Sequence, residues 1–152
     1  MSTQRLNYFE VDPRAGKAVL AMETYVRESG LDTGLYELIK LRASQINGCA
    51  FCLDMHARDA RKNGEDQRRL DILSGWHEAP DFFSRAERAA LALTESVTLI
   101  GEHGVPDSVW DEAADCFSPE ELVQVLLAIS TINVWNRLAV ATRQALPEHP
   151  DS

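Results

Sequence analysis

The chain has 152 residues, of which 45% are hydrophobic and 26% charged, and its formal net charge is −9. This composition predicts one globular domain over residues 1–152, long enough to bury a hydrophobic core. The negative charge argues against binding to nucleic acid. The sequence has no run of about 18 apolar residues and no apolar N-terminal segment. We therefore expect no membrane partner and a cytoplasmic location.

Four helices are predicted in the first half of the chain, after an N-terminal arm of residues 1–12. Asp12-Pro13 is typical of a helix start, with aspartate as the N-cap and proline in the first turn. Gly30, Asn47-Gly48 and Asn63-Gly64 are typical of helix ends. The four predicted helices cover about residues 13–29, 35–46, 49–63 and 65–73.

Three more helices are predicted after a loop at residues 75–81. Two of them begin with capping-box sequences, Ser84-Arg-Ala-Glu87 and Ser118-Pro-Glu-Glu121, and Pro106 opens the helix between them. They cover about residues 84–100, 106–116 and 119–145. No segment alternates apolar and polar residues as a strand does, so the predicted class is all-α with about seven helices. The last helix is apolar over much of its circumference, which predicts a homo-oligomer.

Residues 37–56 combine a pair of thiols, a histidine and a carboxylate. Cys49 and Cys52 are three residues apart, His56 follows four residues later, and Glu37 precedes Cys49 by twelve. With Cys49 at the start of the central helix, this spacing places both cysteines and His56 on one face. In a cytoplasmic protein such a pair is more typical of redox chemistry or metal binding than of a structural disulfide.

The arrangement suits the reduction of a peroxide. A helix N-terminus and a nearby imidazole favour the thiolate, which is the nucleophilic form of cysteine. His56 lies closer to Cys52 along the helix, so we predict Cys52 as the attacking thiolate and Cys49 as the resolving thiol. His56 supplies a proton to the leaving alkoxide, and Glu37 on the preceding helix orients His56 or relays its proton.

Other interpretations of the same residues stay open. Zinc could be held by Cys49, Cys52, His56 and Glu37, although no second ligand pair with finger-like spacing exists. The cysteines also suit buried core positions, and Glu37 suits the first turn of a helix because of the helix dipole. The corresponding functions are a redox-sensing or zinc-binding oligomer without enzymatic activity, and a protein disulfide reductase.

The motif has the pattern of a known family. The segment Glu37-x3-Leu41-Arg42-Ala43-Ser44-Gln45-x-Asn47-Gly48-Cys49-x2-Cys52-x3-His56-x3-Ala60-x3-Gly64 resembles the core of the alkylhydroperoxidase D (AhpD)-like family, within the carboxymuconolactone decarboxylase superfamily. The last helix, with Asn133-Val-Trp-Asn-Arg137, is similar to the C-terminal helix of that family.

The resemblance implies an all-helical fold that assembles as homotrimers, or as homohexamers built from them. It implies a peroxiredoxin-type peroxidase for organic hydroperoxides or hydrogen peroxide. In that scheme Cys52 attacks, Cys49 resolves, and Glu37 and His56 form a proton relay. A thiol reductant, a lipoylated carrier protein in the best-known members, is the implied partner. Phe51 departs from the pattern, because those members carry a second histidine immediately before the second cysteine.

The remaining candidates are interpreted as structural. No glycine-rich phosphate loop occurs, so we expect no nucleotide or flavin cofactor. Cys116 is interpreted as a buried structural thiol and Arg42 as part of a surface or interface salt bridge. The other histidines are interpreted as surface residues and the tryptophans as packing residues: His77, His103, His149, Trp76, Trp110 and Trp135.

Overall fold

The computed structural model describes residues 3–148, so His149 lies outside the described residues. Between residues 3 and 148 the chain forms nine α-helices and two 3₁₀ segments, with no strand, which confirms the all-α class. The α-helices are α1 Tyr8–Val11, α2 Pro13–Glu28, α3 Thr33–Asn47, α4 Ala50–Lys62, α5 Gln67–Ile72, α6 Arg85–Thr98, α7 Ile100–His103, α8 Asp107–Cys116 and α9 Pro119–Thr142. The 3₁₀ segments are Leu73–Glu78 and Pro80–Phe82.

All seven predicted helices occur, and the structure adds two short ones. Helix α1 lies within the predicted N-terminal arm, and α7 lies in the connection before α8. Each has only four residues, which is too short for helical periodicity to show in the sequence. The predicted loop at residues 75–81 is largely wound into 3₁₀ turns. Helix α9 ends at Thr142 rather than at Ala145.

The predicted capping signals are confirmed. The Asp12 carboxylate accepts hydrogen bonds from the first backbone N–H groups of α2. Ser84 and Ser118 each form a complete capping box with the glutamate three residues later, at the starts of α6 and α9. These contacts satisfy N–H groups that a helix start would otherwise leave without partners.

Helix α3 is the centre of the packing. It contacts α4, α6 and α9, and buried side chains occur on all sides of it. Two of those side chains, Glu37 and Lys40, carry charged groups into the interior. A helix that is surrounded in this way holds its side chains in fixed positions, which is the property that a catalytic scaffold needs.

Helix α9 is long and apolar enough to cross a membrane by length and composition alone. In this fold it packs along α2, α3 and α6. Its polar side chains are used inside the protein: Asn136 donates to the Ser44 hydroxyl at 3.0 Å, and Asn47 donates to Asn133 and Asn136 at 2.9 Å. In this structure α9 is therefore a core helix. A core helix can meet the same criterion of length and composition as a helix that spans a membrane.

The Asn47-Gly48 break sets the position of the cysteines. Gly48 adopts a left-handed conformation with φ 65° and ends α3, its N–H bonding back to the last turn. The backbone N–H of Cys49 then donates to the Ser44 carbonyl at 3.0 Å, and Cys49 becomes the N-cap of α4. This tight reversal places the thiol pair at the junction of the two helices.

Replacing Gly48 by alanine tests this turn. A Cβ at Gly48 meets no atom within 4 Å, so its cost is confined to the backbone. We expect Gly48→Ala to lower the free energy of unfolding by about 1–2 kcal/mol, the penalty of a left-handed L-residue. Gly48→Asn should cost less, because asparagine tolerates this conformation better. Urea unfolding followed by circular dichroism measures both.

Gly101→Ala is the matched control. Gly101 lies in α7 without a positive φ, and a Cβ there also meets no atom within 4 Å. This variant should keep its stability or gain up to about 1 kcal/mol. Equal losses at Gly48 and Gly101 would contradict the assigned role of the turn.

Candidate active site

Cys49 and Cys52 lie at the N-terminus of α4, as predicted. They are joined as a disulfide, with Cα atoms 5.4 Å apart, a separation that disulfides ordinarily span. The backbone N–H of Cys52 donates to the Cys49 sulfur at 3.4 Å. Both side chains are buried. When the pair is reduced, this N–H group and the helix dipole act on the sulfur of Cys49, the N-cap residue.

Glu37 and His56 form a buried pair across the α3–α4 contact. The Nδ1 atom of His56 and the Oε2 atom of Glu37 are 2.9 Å apart. Both side chains are almost fully enclosed. When Glu37 is a carboxylate and the imidazole is neutral, Nδ1–H donates to Glu37 and Nε2 is the acceptor. The structure thus brings together all four residues that the sequence indicated.

An apolar cavity of about 250 Å³ lies beside Cys52 and His56. The imidazole of His56 forms part of the wall of this cavity. In agreement with this position, Nε2 is not a fully buried atom without a hydrogen-bond partner within the described chain. A small organic molecule therefore has room to lie against both the sulfur and the imidazole. The apolar part of the lining comes mainly from Phe9, Leu20, Phe51, Met55, Trp135 and Ala139.

The structure contains a buried ion pair next to this cavity that the sequence analysis did not predict. Lys40 has 0% exposure, and its Nζ donates to both carboxylate oxygens of Glu23 at 2.8 and 3.1 Å. The Tyr36 hydroxyl and the Trp135 indole N–H donate to the same carboxylate. The interruption of the apolar run Leu38–Leu41 by a lysine is the one signal that the sequence offers. Its partner Glu23, 17 residues earlier, stands in a stretch of sequence that gives no such signal.

The surroundings of Glu23 keep it ionised. Burial raises the pKa of this carboxyl, but the Lys40 charge and the hydrogen bonds from Lys40, Tyr36 and Trp135 outweigh burial and lower the pKa to about 2. Burial lowers the pKa of Lys40, which the charge of Glu23 opposes. Lys40 also lies one turn after Glu37 on α3 and attracts its carboxylate. The Lys40 ammonium group therefore lies next to the Glu37–His56 pair.

Other residues that the sequence analysis considered lie outside the cavity next to Cys52. Cys116 is a free thiol that packs against the core but is only partly buried, so the prediction of a buried thiol is wrong in its degree of burial. The exposed side chain of His77 stacks on Trp76 and contacts Glu95 at 3.0 Å. Glu95 also accepts from Arg42 at 2.9 Å, a partly buried salt bridge.

The three tryptophans differ in environment. Trp76 is buried in the core, as predicted. Trp110 is 42% exposed, so its interpretation as a packing residue is wrong in this protomer. Trp135 is a wall of the cavity and a donor to Glu23, a role that its place on an apolar helix did not reveal.

The zinc set considered from the sequence is not assembled. Over residues 3–148 the compact grouping of histidine, cysteine and carboxylate side chains is Glu37, His56 and Asp59, with one ligand atom of each within 4.8 Å of the others. It includes neither cysteine, and the sulfurs are bonded to each other. Within this grouping, Glu37 and His56 are hydrogen-bonded to each other.

The comparison with known proteins agrees with this geometry. Residues 13–96 match the carboxymuconolactone decarboxylase family, and the chain belongs to that family. It is 44% identical over 139 residues to the uncharacterized protein YdfG of Bacillus subtilis. The aligned region covers 91% of this chain and 94% of YdfG.

Two solved structures extend the comparison. A protein of unknown function from Agrobacterium tumefaciens, proposed to be the antioxidant defence protein AhpD, is 44% identical with a TM-score of 0.93. The match covers 97% of this chain and all of that one. The debrominase Bmp8 shares the fold, with a TM-score of 0.82 at 21% identity over 94% of this chain and 76% of its own. The AhpD-like resemblance is thereby confirmed at the level of family and fold.

The Glu23–Lys40 pair predicts a specific acid sensitivity. Because the pKa of Glu23 is lowered from 4.5 to about 2, the unfolded chain takes up its proton more readily than the folded chain. The stability from Glu23 is therefore fully present above about pH 4.5 and is lost as the pH falls toward 2. Glu23→Gln should be less stable at neutral pH and should lose less stability on acidification.

Urea unfolding at neutral and acidic pH measures this difference. Exposed Glu28 on the same helix provides the control, and Glu28→Gln should follow wild type. If Glu23→Gln and wild type lose equal stability between the two pH values, Glu23 is not the group responsible.

Proposed function

We propose that this chain is a thiol-dependent peroxidase that reduces organic hydroperoxides or hydrogen peroxide. One observation carries the proposal: one member of the Cys49–Cys52 pair and one of the Glu37–His56 pair, Cys52 and His56, line the same apolar cavity. Family membership and the Agrobacterium relative proposed to be AhpD support a thiol-based redox role at a coarser level.

Cys52 is the proposed attacking residue because it lines the apolar cavity together with His56, whereas Cys49 does not. The Cys52 thiol transfers its proton to His56 Nε2, and the Nδ1 proton moves toward Glu37. The thiolate attacks the peroxide, so that an S–O bond forms and the O–O bond breaks. The leaving alkoxide takes the proton back from Nε2 and departs as the alcohol, or as water from hydrogen peroxide.

Cys49 completes the oxidation. Its sulfur attacks the Cys52 sulfenic acid, the S–S bond forms, and the hydroxyl leaves as water with the proton of the Cys49 thiol. Two thiols are oxidised and one peroxide is reduced to an alcohol and water. The resulting disulfide is the state that the structure contains.

The disulfide is reopened by an external dithiol, for which a lipoylated carrier protein is the proposed source. Cys49 borders a different surface depression, of about 650 Å³, that also includes Phe51, Ala139 and Arg143. A reductant thiolate that attacks Cys49 from there releases Cys52 as the leaving thiolate. Access from this side leaves the peroxide cavity unobstructed.

Phe51 gives the cavity an apolar wall where the best-known AhpD-like proteins have a histidine. The proton chemistry then depends on His56 and Glu37, and the cavity favours substrates with an apolar body. The fold by itself selects no substrate, since the debrominase Bmp8 has it too. The choice of peroxide rests on the cysteine, histidine and glutamate arrangement.

Assembly as a homotrimer, or as a homohexamer built from trimers, is also proposed. Large apolar side chains remain 40–58% exposed on the single protomer, which supports further burial between copies. The negative net charge supports an absence of nucleic-acid partners. The exposed apolar side chains in question are Leu99, Ile100, Trp110, Val123 and Val140.

Peroxide consumption with dihydrolipoamide tests the proposed function. Wild type should turn over, and Cys52→Ser should lose activity completely because no other cysteine lines the cavity. Cys49→Ser should react once with peroxide and then stop as the sulfenic acid. Cys116→Ser is the matched control and should retain wild-type turnover, because Cys116 lies outside the site.

Three results would count against the proposal. Full turnover by Cys52→Ser would remove the assigned nucleophile. A disulfide that forms with peroxide but supports no turnover with any dithiol would indicate a redox sensor. Stoichiometric zinc in freshly purified protein would favour the metal-binding alternative.

The relay is tested separately by Glu37→Gln and His56→Gln. Both variants should lower the single-turnover rate of disulfide formation by about 10²–10⁴-fold, the usual contribution of general acid–base catalysis. The His56 variant should lose more, since His56 faces the cavity and Glu37 acts through it. Stopped-flow tryptophan fluorescence after mixing with an organic hydroperoxide measures the rate. Wild-type rates in both variants would exclude the relay.

A further inference from the structure

The Glu37–His56 pair lies between two neighbouring cavities, which share Arg27 as a lining residue. His56 borders the apolar cavity at Cys52, and Glu37 borders a second cavity of about 340 Å³. The second cavity includes Asp59, Lys62 and Asn63 from the end of α4, and no cysteine. A group that enters the second cavity therefore reaches the carboxylate end of the pair, whereas a substrate in the first cavity reaches the imidazole end.

Asp59 is the carboxylate of the second cavity that lies closest to the pair. It follows His56 by three residues on α4, which places both on the same helix face. One oxygen of Asp59 lies within 4.8 Å of a ligand atom of both Glu37 and His56, a gap that one water molecule spans. Asp59 is partly exposed, whereas Glu37 and His56 are buried.

We propose that Asp59 is a positioning residue that passes protons between solvent in the second cavity and the Glu37–His56 pair. The inference rests on the proposed function, because it extends the relay assigned there. The route runs from solvent to the Asp59 carboxylate, to Glu37, through the imidazole of His56 from Nδ1 to Nε2, and to the oxygen or sulfur at Cys52. Asp59 acts only through Glu37 and does not touch the peroxide.

The chemistry of the cycle gives this route its use. When the proton of the Cys52 thiol leaves the Glu37–His56 pair for solvent before the peroxide binds, protonation of the alkoxide needs one proton to return from solvent by the same route. An organic peroxide in the first cavity, whose walls are largely apolar, keeps water away from Nε2 during these steps. The proton held between His56 and Glu37 then exchanges with solvent from the Glu37 side, where the lining is polar.

The proposed route from solvent through Asp59 to the Glu37–His56 pair is here called the proton port. The charges around Asp59 suit this role. Arg27 from α2 and Lys62 from α4 border the same cavity and offset the negative charge of two neighbouring carboxylates. Lys40 on α3 attracts Glu37 from within the core. The titratable and charged groups that surround Asp59 on the packed helices are Arg27, Tyr36, Glu37, His56 and Lys62.

Proton exchange at His56 tests the port without any turnover. In reduced protein labelled with ¹⁵N-histidine, NMR gives the exchange rate of the His56 Nδ1 proton with water. Asp59→Asn should slow this exchange by roughly tenfold, less than the loss of a direct general acid because water still enters the cavity. Asp59→Glu should restore most of the rate. The control Asp54→Asn removes a carboxylate of α4 that pairs with Arg58 and should leave the exchange unchanged.

A kinetic test separates the port from the rest of the mechanism. In single turnover with a bulky organic hydroperoxide, Asp59→Asn should slow disulfide formation by roughly tenfold. With hydrogen peroxide the slowing should be much smaller, because this small substrate leaves water in the cavity. A purely structural effect of the substitution would slow both substrates equally and would appear as a lower thermal unfolding midpoint.

The outcomes are distinct. Unchanged His56 exchange in Asp59→Asn, or equal slowing with both peroxides, overturns the port and leaves the peroxidase proposal intact. If wild type reduces no peroxide while Asp59→Asn still slows the exchange, the proposed function fails and the proton route stands.

Discussion

The buried hydrogen bond between Glu37 and His56 is the contact on which the rest of the site depends. It joins α3 to α4, and the left-handed turn at Gly48 sets the register between those helices. A carboxylate enclosed in this way is tolerated because it is hydrogen-bonded and because Lys40 lies one turn along. With Nδ1 of His56 bound to Glu37, the imidazole borders the cavity that Cys52 also lines.

The arrangement separates polar from apolar functions. Mainly apolar side chains from α1, α2, α4 and α9 enclose the space next to Cys52, with Glu23 and Arg27 as its charged lining residues. Arg27, Asp59 and Lys62 border the Glu37 end of the pair. The Glu23 carboxylate accepts four hydrogen bonds from three donors, Lys40, Tyr36 and Trp135, and so links α2, α3 and α9. In the proposed mechanism, this charged cluster allows a substrate to be desolvated in the cavity without loosening the Glu37–His56 pair.

Much of this could be predicted from the sequence, for identifiable reasons. Capping residues and helical periodicity located the seven longer helices, and the spacing of Cys49, Cys52 and His56 placed them on one face. The Glu23–Lys40 pair could not be predicted, because it joins two helices at positions without any local signal. Asp59 did carry a signal, three residues after His56, but its value depends on a cavity that only the packed helices create.

The most direct test of the account is the stoichiometry of one turnover. Reduced protein is mixed with one equivalent of an organic hydroperoxide, and the alcohol, the free thiols and the Cys49–Cys52 peptide are measured together. The account predicts one alcohol per protomer, the loss of two thiols and one intramolecular disulfide. Loss of thiols without alcohol, or alcohol without the Cys49–Cys52 disulfide, would contradict it.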